Sequence, residues 1–92
     1  MSIDAFSIYQ EMASRSKYRR LYAHLCDAEG EEWLTSFREI EAILGFRLPD
    51  SARRYRPWWA NQRSGGHSQA LAWMAAGWET AYLDMEAETL LL

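Results

Sequence analysis

The period of the apolar side chains changes several times along the chain, and each change marks an element. Ile3, Phe6, Tyr9 and Met12 recur about every third residue, which suits a helical arm over residues 1–15 that breaks at Ser14-Arg15-Ser16. Beyond Ser16, a candidate cap, the residues Tyr18, Leu21, Tyr22 and Leu25 fall at i, i+3, i+4 and i+7. That spacing predicts a helix with one buried stripe, ending near Ala28 before Gly30. Lys17, Arg19 and Arg20 lie off the stripe and face water. Trp33-Leu34-Thr35 has strand propensity but room only for a short strand. Ser36 followed by Glu39 is a capping box. The helix it opens turns Phe37, Ile40, Ile43 and Leu44 inward and stops at Gly45.

The tight connection "FRLP" leads into a third helix, opened by Pro49 and Ser51. Leu48, Ala52, Tyr55 and Trp59 share its buried line. Arg54, Trp58 and Asn61 share another, flanked by Arg53 and Arg56. Pro57 removes one backbone bond, so the helix bends there. If it continues past the bend, the adjacent tryptophans point about 100° apart. Trp59 then belongs to the core and Trp58 to the surface. Ser64-Gly65-Gly66 breaks the chain. "SQALAWMAAG" reads as a short helix with Leu71, Met74 and Ala75 inward, ended by Gly77. The tail "WETAYLDMEAETLLL" loses helical spacing, and its break at Asp84–Ala87 predicts a terminal hairpin, with a helical tail as the alternative. The fold class is therefore α+β, mainly α with a small β-hairpin. Two helices joined by a few residues and followed by a hairpin resemble a winged helix-turn-helix. Residues 1–15 form the arm and residues 16–92 a single winged-helix-like domain.

Composition supports one core. The 92 residues are 49% hydrophobic and 14% aromatic, far from a disordered composition. Cys26, the single cysteine, has no partner for an internal disulfide, and neither His24 nor His67 sits at metal-ligand spacing. No apolar run approaches the ~20 residues that a membrane-spanning helix needs. The start "MSIDAFSIYQEM" lacks the basic and apolar segments of a secretory signal. These features set the expectation of a cytoplasmic protein without cofactor or metal and without a membrane partner.

Charge changes the picture. The chain carries net −3, yet residues 47–63 hold five arginines against the single carboxylate Asp50, and residues 64–92 hold four acids and no lysine or arginine. A local positive field reaches a partner within a Debye length of about 8–10 Å, whatever the net charge.

The ordered motifs "SKY" (Ser16–Tyr18), "FREIE" (Phe37–Glu41), "LPDSAR" (Leu48–Arg53), "WWAN" (Trp58–Asn61) and "AWMAAGW" (Ala72–Trp78) resemble an uncharacterised domain family of bacterial and phage-related proteins. The resemblance covers about the last four-fifths of the chain. It implies no particular activity, and a regulatory or defence-related setting is its only functional suggestion. Similar sequences tend to close on a basic residue, whereas this chain ends "ETLLL".

Two kinds of partner fit these residues. The first is duplex DNA, read through the third helix. Arg53, Arg54 and Arg56 would contact phosphate or guanine, Trp58 and Asn61 would meet base edges, and Arg63 and His67 would lie on the backbone at the helix end. Lys17, Arg19 and Arg20 would extend this surface. A solvated, partly salt-bridged helix face is the plainer reading of the same arginines. The second partner is a protein, bound through the same Arg/Trp surface or mimicked against by the acidic tail. The apolar arm offers a route to a homodimer. His67 and Ser51 read as capping residues before anything else. Asp84, Glu86 and Glu88 alternate at strand spacing and read as an acidic edge that blocks strand addition. No Gly-rich phosphate loop, nucleophile elbow or metal motif occurs, so a non-enzymatic role is expected.

Overall fold

Local chemistry sets most of the element ends. The computed structural model describes residues 5–62 and 67–92. In chain order it contains α1 (Ala5–Arg15), α2 (Arg19–Asp27), β1 (Leu34–Ser36), α3 (Phe37–Leu44), α4 (Asp50–Arg54), a 3₁₀ turn (Arg56–Trp59), α5 (Ser68–Met74), β2 (Ala81–Asp84) and β3 (Thr89–Leu91). Ile3 of the arm, Arg63 and the Ser64-Gly65-Gly66 break lie outside the described residues.

The Ser36 side chain accepts from the Glu39 N–H at 3.1 Å, half of the expected capping box. The Glu39 carboxylate turns instead to the Thr35 hydroxyl. At the other end of α3, Gly45 adopts φ +83°, a left-handed conformation that stops the helix, and its N–H returns to the Glu41 carbonyl at 2.8 Å. Ser16 does not cap α2 in the usual way. Its hydroxyl accepts from the Tyr18 N–H and donates to the Ala13 carbonyl, tying α1 to α2 across the turn.

The tail is a hairpin, and it pairs further than the sequence indicates. β3 lies between β1 and β2 in an antiparallel sheet of order β1-β3-β2, with Leu34 opposite Leu91 and Ser36 opposite Thr89. The fold is thus α+β. Asp84, Glu86 and Glu88 are not an alternating strand edge, because Glu86 and Glu88 lie in the turn between β2 and β3. Asp84 closes that turn by accepting from the Ala87 N–H at 2.9 Å.

The core is largely aromatic. Phe37 stacks on Trp59 with centroids 4.6 Å apart, Trp59 stacks on Trp73 at 5.9 Å, and Trp58 meets Trp59 edge-on at 4.7 Å. Tyr18 just before α2, Leu21 and Leu25 from α2, Ile40 and Leu44 from α3, and Leu90 and Leu92 from the C-terminal end close around this cluster. α5 is buried on nearly every side, from Gln69 to Trp73, and so runs through the interior. α1 packs on α2 and α5 through Ala13, with Tyr9, Leu71 and Ala75, and leaves Phe6, Ile8 and Met12 exposed. Among the described residues, no helix is long and apolar enough to cross a membrane.

Candidate functional site

The Arg/Trp-rich segment does not run as one bent helix. α4 ends at Arg54, Tyr55 is extended at φ −123° and ψ 97°, and the chain restarts as the 3₁₀ turn with Pro57 near its beginning. Proline explains the break. Its ring would strike the carbonyl four residues back in a continuing helix. The break rotates everything downstream, and three of the expected contact residues, Arg53 before it and Trp58 and Asn61 after it, are engaged by partners within the molecule.

Trp58, expected at the surface, is buried at 9% exposure, edge-on to Tyr18 at 6.0 Å, and its carbonyl accepts from Gln69 Nε2. Tyr55, expected in the core, is 58% exposed. Arg53 lies half-buried across Glu41, donating from Nη1 at 2.9 Å and Nη2 at 3.0 Å, while its Nε donates to Glu88 at 3.1 Å. Glu41 also accepts from the Leu48 N–H. The Arg53 guanidinium holds the Glu41 carboxyl below the usual carboxylate range, against the opposing effect of burial. Reciprocally, the pair raises Arg53. The result ties α3, α4 and the hairpin turn together.

Asn61 is equally committed. Its Oδ1 accepts from the Trp73 indole N–H at 2.9 Å and from the Thr80 N–H at 2.9 Å, and its Nδ2 donates to the Thr80 carbonyl at 3.1 Å. This clamp holds the strand leading into β2 against the end of the 3₁₀ turn. His67 directly precedes α5 but makes no side-chain cap bond; its Nδ1 lies 3.5 Å from Gln69 Nε2. Arg63 lies outside the described residues.

What remains outward is a different set. Arg54 and Arg56 are exposed and, among the described residues, paired with no carboxylate. Arg56 reaches β2, where its Nη2 donates to the Leu83 carbonyl at 3.1 Å. Beside that contact, Tyr82 holds φ +48° and is 85% exposed. The pairing explains the unusual backbone. β2 carries an extra residue against β3, since Ala81 faces Leu91 and Asp84 faces Thr89. Such a bulge kinks the strand and re-aims a side chain. A left-handed conformation in a bulky residue is disfavoured by about 1–2 kcal/mol, and here it turns a phenol ring outward. Arg56, Pro57, Ala60, Thr80, Ala81 and Tyr82 border an open cleft of about 400 Å³. Sequence reasoning missed Tyr55 and Tyr82. Pro57 was the available signal for the first; nothing in the spacing announces the bulge.

The arrangement presents Arg56 and Tyr82 on the cleft, with Arg54 and Tyr55 exposed at the break before it. It can bind anions, accept stacking and donate hydrogen bonds. Among the described residues, no three His, Cys, Asp or Glu side chains are grouped to hold a metal ion.

The family described as "Domain of unknown function (DUF7662)" matches residues 18–91. The chain belongs to that family. The matched span contains α2 through β3 and the whole Arg/Tyr cleft, while α1 precedes it. Comparison with curated proteins found no match, and comparison with solved structures found none.

Proposed function

We propose that this DUF7662 domain is a small, non-enzymatic module that binds duplex DNA through Arg54 and Arg56, with Tyr55 and Tyr82 against sugars and base edges. One observation carries the reading. Two arginines that pair with no carboxylate among the described residues flank an exposed tyrosine at the break after α4, beside a second tyrosine that a strained bulge turns to solvent. Arginine and tyrosine both donate to phosphate oxygens, and such contacts make up most of a protein–DNA interface. The winged-helix-like arrangement belongs to this reading, with the hairpin carrying Tyr82 alongside the short α4. A cytoplasmic setting, suggested by the single cysteine, belongs to it as well. Anisotropy of a labelled mixed-sequence duplex tests it. Binding should be lost in Arg54→Gln/Arg56→Gln, and wild-type protein that fails to bind at low salt would end the proposal.

A second reading is a protein-interaction module, favoured by the exposed Phe6, Ile8 and Met12 on α1. Self-association through that face would be abolished by Phe6→Ser/Met12→Ser in sedimentation equilibrium.

A further inference from the structure

A separate basic cleft opens where the start of α2 meets the end of α3. It encloses about 480 Å³, and its walls are Lys17, Arg19, Arg20, Leu44, Gly45 and Phe46. Three of those six residues are cations, none is acidic, and none of the three cations forms an ion pair among the described residues. Lys17 Nζ sits 5.2 Å from the centroid of Phe46 and 5.8 Å from that of Tyr18, so aromatic faces hold it over the cleft. Arg19 is steadied by donating to the Ser16 carbonyl at 3.3 Å. Arg20 lies over Gly45, whose missing side chain leaves it room. A Cβ there would sit 2.6 Å from Arg20 Nη1.

Electrostatics makes this clustering costly in the free protein. The first turn of α2 carries no acidic residue, and the positive end of a helix favours carboxylates over cations. Three cations there repel both the helix end and one another. A bound polyanion removes that repulsion. The concavity argues for a compact group rather than a strand of nucleic acid, because the cations line an indentation instead of a ridge.

We propose that this cleft binds an oligophosphate, either inorganic or the phosphate chain of a nucleotide, with Lys17, Arg19 and Arg20 on the phosphate oxygens. This is independent of the DNA reading, which uses Arg54 and Arg56. The test titrates the whole chain with tripolyphosphate and with ATP at low salt, read by calorimetry and amide chemical shifts. Lys17→Gln, Arg20→Gln and Arg54→Gln are run alongside, and all substitute exposed side chains. The shifts should centre on Lys17–Leu21 and Gly45–Phe46. Lys17→Gln and Arg20→Gln should each weaken binding about tenfold, as expected for loss of one charge-assisted contact, while Arg54→Gln leaves it unchanged. Equal affinity for the two probes identifies the phosphate chain as the whole ligand. Tighter ATP adds a base stacked at Phe46, and either result supports the site. Absence of saturable tripolyphosphate binding, shifts elsewhere, or an equal loss in Arg54→Gln would overturn it.

Discussion

Replacing Asn61 by alanine separates a reader of bases from a structural clamp. A free asparagine at a DNA surface would leave stability unchanged when truncated. Here the side chain accepts from Trp73 and from the Thr80 N–H and donates to the Thr80 carbonyl. Trp73 is 1% exposed, and an indole N–H that loses its acceptor inside the molecule costs about 1–3 kcal/mol. The two Thr80 groups lie near solvent and each lose roughly 0.5 kcal/mol. The sum is about 2–4 kcal/mol, a large share of the ~5–14 kcal/mol expected for a domain of this size. With a urea slope of about 1–1.5 kcal/mol/M, the unfolding midpoint followed by tryptophan fluorescence should fall by roughly 2 M. Asn61→Asp keeps both acceptor contacts and should lose only the roughly 0.5 kcal/mol of the Thr80 carbonyl contact. A shift below about 0.5 M in Asn61→Ala would refute the clamp, since it is smaller than the indole term alone.

Trp58→Ala should cost about 3–5 kcal/mol, the range for a buried aromatic, read from the same urea midpoint; a surface tryptophan would cost far less. Because the folded state lowers the Glu41 pKa, its stabilisation is fully present above the unfolded value near ~4.3 and is lost as pH falls through the depressed folded value. Urea midpoints measured from neutral to acid pH should therefore drop more steeply in wild type than in Glu41→Gln. Arg53→Ala should destabilise by about 2–3 kcal/mol, by stranding a half-buried Glu41. Tyr82→Gly relieves the strained φ and should leave thermal stability unchanged or raise it by about 1 kcal/mol, while weakening DNA binding in anisotropy. A large loss of stability would show that the ring packs rather than projects.

Helix periods and stops were the legible part of this fold. The stripe Tyr18, Leu21, Tyr22 and Leu25, the Ser36 cap and the Gly45 stop lie where spacing and backbone chemistry put them, because each is decided within a few residues. The hairpin was legible too, but not its pairing with β1, which joins residues more than fifty positions apart. The candidate site was harder. Trp58 and Asn61 shared a helix face with Arg54, flanked by Arg53, only on the assumption that the helix survives Pro57. Once it breaks at Tyr55, Trp58 turns into the core. Arg53 finds carboxylates on Glu41 and Glu88, and Asn61 finds Trp73 and Thr80. All those partners are distant in sequence, so composition alone could count the charges but not show which of them were already neutralised.

The proposed function is tested most directly by the salt dependence of duplex binding. The slope of log affinity against log salt falls by about 0.9 for each phosphate contact removed. The account predicts that Arg54→Gln and Arg56→Gln each lower the slope by about one and together by about two, at unchanged thermal stability. If both variants keep the wild-type slope, the phosphates lie elsewhere and the central claim is wrong.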